Sequence, residues 1–166
     1  MRAGIALGSN LGDRLANLGA ARARLQRLAS VEPPVLASRV YETAPVGCEP
    51  GAGPFLNAVV ELGFVGEAAE LLRRLREIEA ELGRPAAHPR NVSRMIDLDL
   101  LYFGDEQSST SELVLPHPRL HERRFVLQPL ADIRSDFVLP GHNEPVAALL
   151  ARLDGEQPLV SIASEW

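Results

Sequence analysis

The stretch that decides the fold covers residues 55–83 and reads FLNAVVELGFVGEAAELLRRLREIEAELG. Its first part, 55–64, is mostly apolar, with two adjacent valines at its centre, which is typical of a buried strand. In the second part the apolar side chains recur every three or four positions, which predicts an amphipathic helix over 67–82. Gly83 ends this helix, because glycine readily adopts the left-handed conformation that closes many helices. Only Glu79 interrupts the apolar stripe, near the end of the helix.

Two strands and a helix precede this stretch, and a further strand follows it. Periodicity and β-branched content predict the remaining elements: strands over 2–7, 35–41, 95–103 and 113–115, and helices over 13–29, near 122–130 and over 146–153. The order β-α-β-β-α-β predicts an α+β chain with a ferredoxin-like core and an antiparallel sheet. The later segments are C-terminal additions. Together with them, we expect helices on both faces of the sheet, which gives three layers. Pro33 and Pro34 are expected to end the first β-α unit.

Composition places the chain among globular proteins of one domain. Its 166 residues are 46% hydrophobic and 23% charged, which excludes wholesale disorder and predicts a single domain over 1–166. The net charge is −5, so we expect no general nucleic-acid binding, which usually requires a basic domain. All 17 basic residues are arginines. No apolar run reaches the roughly 18–20 residues of a membrane helix, and the N-terminus does not resemble a signal peptide. With Cys48 as the one cysteine, these features favour the cytoplasm.

Two aspartates in an apolar strand form the strongest candidate site. Side chains alternate along a strand, so Asp97 and Asp99 should project from one face while Leu98 and Leu100 project toward a core. Adjacent carboxylates repel, and a hard divalent cation such as Mg²⁺, which prefers oxygen ligands and phosphate partners, relieves that repulsion. The alternative is a pair of solvated aspartates near a strand end. The surrounding apolar strand favours the metal site.

Arginines flank this pair in two segments. Arg84, Arg90 and Arg94 lie in the loop before the strand, and His117 and Arg123 lie in a second basic segment after it. Guanidinium groups beside a metal pair can neutralise the oxygens that gain charge during transfer of a polyphosphate group. Arginines in solvated loops are common, so the argument depends on their proximity to the aspartates.

Aromatic residues are scarce, which draws attention to Phe55 and Phe125. Each borders polar sequence, and the two could act as plates on either side of a flat heterocycle, or could simply pack in the core. The Gly8-Ser9-Asn10 turn follows a strand and precedes a helix, but it lacks the spacing of dinucleotide-binding and P-loop motifs. We therefore expect it to be a structural turn that shapes a neighbouring pocket.

Taken in order, these motifs extend over nearly the whole chain. They are ALGSNLG (6–12), YETAPVG (41–47), FLNA (55–58), the segment 78–84, RMIDLDLL (94–101), LPHP (115–118) and RRFVLQPL (123–130). The set resembles the 6-hydroxymethyl-7,8-dihydropterin pyrophosphokinase family of folate biosynthesis. The RMIDLD run followed by Pro-His and Arg-x-Phe is specific to that resemblance.

The resemblance implies transfer of pyrophosphate from ATP to the hydroxymethyl group of the pterin, with release of AMP. Asp97 and Asp99 would hold two Mg²⁺ ions, and Arg84 and Arg94 would stabilise the transferring group. The resemblance also assigns two substrate sites, an ATP site of Glu79, Arg84, Arg94, His117 and Arg123, and a pterin site of Thr43, Ala44, Val46, Phe55, Asn57 and Phe125.

Three hypotheses stay open on the sequence. The first is this pyrophosphokinase, a monomer with small-molecule substrates and no nucleic-acid or membrane partner. The second is a catalytically impaired relative that keeps the pterin and nucleotide pocket for a regulatory or scaffolding role. The third is a two-carboxylate nucleotidyl-transferring enzyme, which would need a nucleic-acid groove that the acidic balance does not supply.

Overall fold

The helices and strands follow the predicted order, with additional short strands in the second half of the chain. The computed structural model describes residues 1–45, 50–83, 93–153 and 159–166. In chain order its elements are β1 (Arg2–Ser9), α1 (Arg14–Gln26), β2 (Val31–Ala37), β3 (Val40–Thr43), β4 (Phe55–Phe64), α2 (Ala68–Glu81), β5 (Asp97–Phe103), β6 (Ser108–Ser109), β7 (Val114–Leu115), a 3-10 turn (Leu120–Glu122), α3 (Arg124–Arg134), α4 (Val146–Arg152) and β8 (Val160–Ala163). Asp13 caps α1 by accepting a hydrogen bond from the Ala16 backbone N–H at 3.0 Å.

One sheet organises the molecule. Its strands lie in the order β5-β1-β4-β3-β8, and β2 pairs with β4 next to β3. Every one of these pairings is antiparallel. The chain passes from β1 through α1 to the β2–β3 segment, and from β4 through α2 to β5, which is the predicted ferredoxin-like arrangement.

Helices cover both faces of the sheet, as predicted. On the first face, apolar side chains of α1 and α2 pack on inward residues of β1, β4 and β5, among them Leu18, Leu25, Leu71, Leu75, Ile5, Leu62 and Leu98. On the second face, side chains of α3 and α4 form a separate core with residues of β4 and β5, among them Val126, Leu127, Leu130, Leu149, Val59 and Leu101. The three layers therefore contain two apolar cores with the sheet between them.

A bulge in β5 turns two consecutive residues toward the second face. Ile5 of β1 pairs with Leu100, whereas Gly4 pairs with Tyr102, so Leu101 has no partner on β1. Leu101 and Tyr102 both belong to the second core. Gly4 has to lack a side chain, because a Cβ atom there would lie 2.2 Å from the Tyr102 ring.

Three predictions of local structure were wrong. The strand expected over 35–41 is two strands, β2 and β3, and Pro33 and Pro34 lie inside β2 instead of ending a unit. They are tolerated because the β2–β4 register shifts between Glu32 and Leu36, so the sheet requires no hydrogen-bond donor from either proline. The helix near 122–130 extends to Arg134, past the internal Pro129. The pattern did not predict β8, which extends the sheet beside β3.

No helix among the described residues is both long enough and apolar enough to span a membrane.

Candidate active site

The register of three neighbouring strands gathers the predicted site residues on the second face of the sheet. Gly8 of β1 pairs with Asn57 of β4 on one side and with Asp97 of β5 on the other. Two residues earlier in β1, Ala6 lies opposite Asp99. Directly paired residues of antiparallel strands project to the same face. The carboxylate pair and the amide of Asn57 therefore lie in adjacent columns of one surface.

The alternation in β5 confirms the predicted arrangement of the two aspartates. Leu98 and Leu100 are each 5% exposed and belong to the first core, whereas Asp97 and Asp99 remain partly exposed on the opposite face. Both carboxylates are therefore accessible to a ligand while the strand that carries them is anchored from behind.

Gly8 leaves open space between these groups. A Cβ atom on this residue would lie 3.4 Å from Asn57 Oδ1, 3.9 Å from Phe55 Cδ1 and 4.0 Å from Asp97 Cβ. Three residues that the resemblance assigns to substrates or metal thus converge above a position that has no side chain. Any residue larger than glycine at this position would place its side chain in the space between these groups.

Arg94 contacts the carboxylate pair directly. Its Nη1 lies 2.7 Å from Asp97 Oδ2, and both side chains are partly exposed, at 19% and 24%. The Arg94 backbone N–H donates to Asn10 Oδ1 at 2.7 Å, and the Asn10 N–H donates in return to the Arg94 carbonyl at 3.1 Å. Asn10 Nδ2 also donates to Ser93 Oγ at 3.0 Å. The turn after β1 therefore fixes the entry of the chain into β5, a role that agrees with the predicted structural turn.

Glu79 supports β5 from α2. It is 8% exposed, and its Oε1 accepts a hydrogen bond from the Leu98 backbone N–H at 2.7 Å. Because β5 is the edge strand of the sheet, this N–H points away from β1, and a carboxylate satisfies it. Glu79 thus anchors the backbone between the two aspartates, a role that periodicity alone did not indicate.

His117 is held beside the carboxylates as a neutral ring. Burial and the nearby charges of Arg123 and Arg119 lower the pKa of His117 to about 4. Its Nδ1 accepts a hydrogen bond from the Arg119 backbone N–H at 3.2 Å, and the backbone N–H of His117 donates to the Leu101 carbonyl at 2.8 Å. With Nδ1 accepting, the proton of the neutral ring lies on Nε2, which is a hydrogen-bond donor.

Arg123 adds a second guanidinium to this region. Burial, followed by repulsion from Arg119, lowers its pKa, while Asp99 and Asp97 act in the opposite direction. The Arg123 guanidinium lies 5.4 Å from the centre of the Phe125 ring. The group predicted to contact nucleotide and the aromatic group predicted to contact pterin are therefore neighbours.

The pterin-side residues lie on the hairpin of β3 and β4. Thr43 pairs with Phe55, and Asn57 Nδ2 donates to Thr43 Oγ1 at 2.8 Å. Asn57 is 7% exposed, so its amide is held firmly. Phe125 is the second residue of α3, on the same side of the sheet. Ala44 follows β3 directly.

Two of the predicted site residues, Arg84 and Val46, lie outside the described residues, as does Arg90. Sequence reasoning placed Gly8 and Asn10 in a structural turn, but it assigned neither the open position at Gly8 nor Arg94 as the partner of Asn10. The signal available for Gly8 was its position at the end of a buried strand, directly before a polar turn.

The donor set fits Mg²⁺ bound together with phosphates. Among the described residues, no group of three or more His, Cys, Asp and Glu side chains could form a metal cage. Two accessible carboxylates are what Mg²⁺ uses when substrate phosphates and water complete its coordination. The cations Arg94 and Arg123 nearby favour such phosphates.

Comparisons with known proteins identify a family model and several relatives that this chain resembles. The family model described as 7,8-dihydro-6-hydroxymethylpterin-pyrophosphokinase (HPPK) matches residues 4–135. The 2-amino-4-hydroxy-6-hydroxymethyldihydropteridine pyrophosphokinase of Bacillus subtilis is 47% identical over 129 residues, which cover 78% of this chain and 75% of that protein. The protein of the same name from Haemophilus influenzae is 38% identical over 159 residues, covering 95% and 96% of the two chains.

A solved structure supports the fold independently. The wild-type HPPK-DHPS of Plasmodium falciparum superposes with a TM-score of 0.68 at 14% sequence identity, over 91% of this chain. This chain spans 44% of the length of that solved chain. Together with the family match and the relatives, the comparison confirms the predicted fold and family: the chain belongs to the 7,8-dihydro-6-hydroxymethylpterin-pyrophosphokinase family.

Proposed function

We propose that this chain transfers the pyrophosphoryl group of ATP to the hydroxymethyl group of 6-hydroxymethyl-7,8-dihydropterin, with release of AMP, through the site on the second face of the sheet. The observation that carries the proposal is the row Asp97–Gly8–Asn57. It sets the proposed metal-binding carboxylates beside the proposed pterin-binding amide, with an open glycine between them. A transfer between two substrates requires this proximity.

Asp97 and Asp99 would hold two Mg²⁺ ions on the phosphates of ATP. When bound, Mg²⁺ supplies positive charge to phosphate oxygens. Arg94 lies 2.7 Å from Asp97, so its guanidinium is already at the edge of the place where those oxygens would lie. Arg94, Arg123 and Arg84 then add charge to the transferring group.

His117 acts as a hydrogen-bond donor and not as a general base. A ring whose pKa is about 4 is neutral at physiological pH, and its Nδ1 already accepts from Arg119. The Nε2–H is therefore directed to an acceptor such as a phosphate oxygen. Glu79 contributes to the ATP site through the strand that it anchors, since its Oε1 accepts from Leu98.

Asn57 orients the pterin. The Nδ2 of Asn57 donates to Thr43, and its Oδ1 faces the open position at Gly8. This oxygen can therefore accept a hydrogen bond from an N–H group on the edge of the pterin ring. Phe55 and Phe125 would cover the faces of the ring, and Ala44 and Val46 would contact its edge. A few fixed polar groups between apolar surfaces are typical of small-molecule sites.

The whole chain acts as one pyrophosphokinase domain over 1–166. The strand β8 lies beyond the family match, yet it pairs with β3 in the same sheet, which supports a single domain. We place the protein in the cytoplasm as a monomer, with ATP and the pterin as its partners and no nucleic acid or membrane. The set of carboxylates, cations and amide on one face supports an enzyme more than a binding-only relative.

An assay that separates AMP from ADP tests the proposal. Incubation with MgATP and the hydroxymethyldihydropterin should release AMP in proportion to the pterin consumed, and no AMP should form when the pterin is omitted. Formation of ADP would indicate transfer of a single phosphoryl group. Tight binding of both substrates without AMP would favour the catalytically impaired relative.

A further inference from the structure

A polar contact between β3 and α3 lies outside the machinery described above. Asp132 of α3 accepts hydrogen bonds from the Tyr41 hydroxyl at 2.9 and 3.0 Å, and from the Arg39 backbone N–H at 3.1 Å. The Asp132 side chain is only 9% exposed, and Tyr41 is 3% exposed. Such a contact has a fixed direction, unlike the apolar packing of α3 on the sheet.

Helix geometry relates this contact to the pterin site. Phe125, Gln128 and Asp132 are spaced i, i+3 and i+7, so they form one stripe along α3. Seven residues span about 10 Å of helix. Asp132, at one end of the stripe, contacts Tyr41, and Phe125, at the other end, is the proposed aromatic plate.

The same tyrosine is aligned with the pterin residues on the sheet. Tyr41 pairs with Asn57, while Thr43, two residues further along β3, pairs with Phe55. Residues two apart on a strand share a face. Tyr41 therefore links the strand that carries the proposed edge contacts to the helix that carries the proposed plate.

We propose that the Tyr41–Asp132 contact is a latch that positions Phe125 against the β3–β4 hairpin and thereby sets the affinity for the pterin; this role rests on the proposed function. The latch acts through Phe125 and does not touch the substrate, so Tyr41 and Asp132 are positioning residues. Burial, together with the bond to Asp132, raises the pKa of Tyr41 to about 12, so the hydroxyl keeps its proton over the whole physiological range.

The latch makes a specific prediction for substrate binding. Tyr41→Phe and Asp132→Ala should weaken binding of fluorescent 6-hydroxymethylpterin about five- to tenfold, while the dissociation constant for MgATP changes by less than twofold. Asp132→Asn keeps an oxygen that can accept from Tyr41 and should restore most of the pterin affinity. Quenching of the pterin fluorescence measures this binding without turnover.

Tyr102→Phe is the matched control. Tyr102 is the other buried tyrosine, and its hydroxyl also donates to a carboxylate on the second face, that of Glu61. This bond does not join β3 to α3. Tyr102→Phe should therefore lower the melting temperature while leaving the pterin affinity within twofold of wild type.

The outcomes separate the latch from the proposed function. If Tyr41→Phe and Asp132→Ala bind the pterin as tightly as wild type, or lose pterin and MgATP affinity equally, the latch is wrong and the contact only stabilises the fold. If the wild-type chain binds MgATP but not the pterin, the proposed function is wrong and the latch is overturned with it.

Discussion

At the residue scale, the two aspartates of β5 are the most direct test of the site. Asp97→Ala or Asp99→Ala should lower kcat by at least the roughly 10²–10³-fold that follows loss of one preorganised charged group. Folding should change little, because removing one of two neighbouring carboxylates relieves repulsion. AMP release at saturating Mg²⁺ is the measurement, and the exposed Asp105→Ala, just beyond the same strand, is the control. Activity within threefold of wild type in both variants would contradict the metal assignment.

His117 gives a prediction for stability against pH. Its pKa is about 4 in the folded chain, against an ordinary value of 6.5. As the pH falls below about 6.5, the unfolded chain takes up a proton that the folded chain does not, so the free energy of unfolding falls until about pH 4. Between pH 7 and pH 5, urea denaturation should therefore show a steeper loss for wild type than for His117→Asn.

His121→Asn is the control for this comparison, because His121 is exposed and its ring can be removed without emptying the interior. Equal slopes for wild type and His117→Asn would mean that His117 takes up a proton as easily when folded as when unfolded. The proposed donor role of its Nε2–H would then lose its support.

Single residues differ in how far sequence could predict their place. Asp97 and Asp99 could be placed on one face because alternation along a strand is local. Gly8 and Asn10 could not be assigned, because their roles depend on partners far along the chain, Asn57 and Arg94. Register between strands is what brings those partners together.

At the element scale, the segment that enters β5 carries the next prediction. Arg94 is held by Asn10 at its backbone and by Asp97 at its guanidinium. A guanidinium that stabilises mainly the transition state affects kcat more than KM. Arg94→Ala should therefore lower kcat by about 10²-fold or more and raise the KM for ATP modestly. Initial rates over a range of ATP concentrations measure both.

Arg76→Ala is the control for Arg94→Ala, because Arg76 is exposed on α2. A change confined to the KM for ATP would make Arg94 an anchor of bound ATP, and the transition-state role would pass to Arg84 or Arg90.

Whole elements were predictable where periodicity is strong. The helix over 67–82 and the strand over 55–64 match α2 and β4 closely, since α2 buries one continuous stripe and β4 is buried on both faces. The start of the strand predicted over 35–41 was wrong because proline normally interrupts a strand. In β2 a shift in the register with β4 lets the chain include both prolines. The short β8 has an exposed pattern with no periodic signal, and only its pairing with β3 makes it a strand.

At the scale of the whole molecule, one buried charge joins distant parts of the chain. Glu61 of β4 is fully buried and contacts Arg2 at 2.7 Å, Arg134 at 3.5 Å and the hydroxyl of Tyr102. Glu61→Ala leaves the buried Tyr102 hydroxyl without its acceptor, while Arg2 and Arg134 are about one third exposed and reach water. A buried donor left without a partner costs about 1–3 kcal/mol, so Glu61→Ala should lower the free energy of unfolding by that amount in urea denaturation.

The surface pair of Arg73 and Glu77 on α2 provides the control, and Glu77→Ala should barely change stability. An equally small effect of Glu61→Ala would show that the contacts of Glu61 add little to the strand hydrogen bonds and the apolar packing that join β1, β5 and α3.

The sequence by itself determined the family, the order of elements and the class of reaction. Its motifs lie in local runs, and hydrophobic periodicity specifies helices, strands and the face that each buries. Only the tertiary structure decided which residues meet: the row Asp97–Gly8–Asn57, the Asn10–Arg94 anchor and the Tyr41–Asp132 contact. These contacts join residues more than 40 positions apart. They depend on strand register and on how the helices pack on the sheet. Both are determined by the packing of the two apolar cores, and no local sequence pattern specifies them.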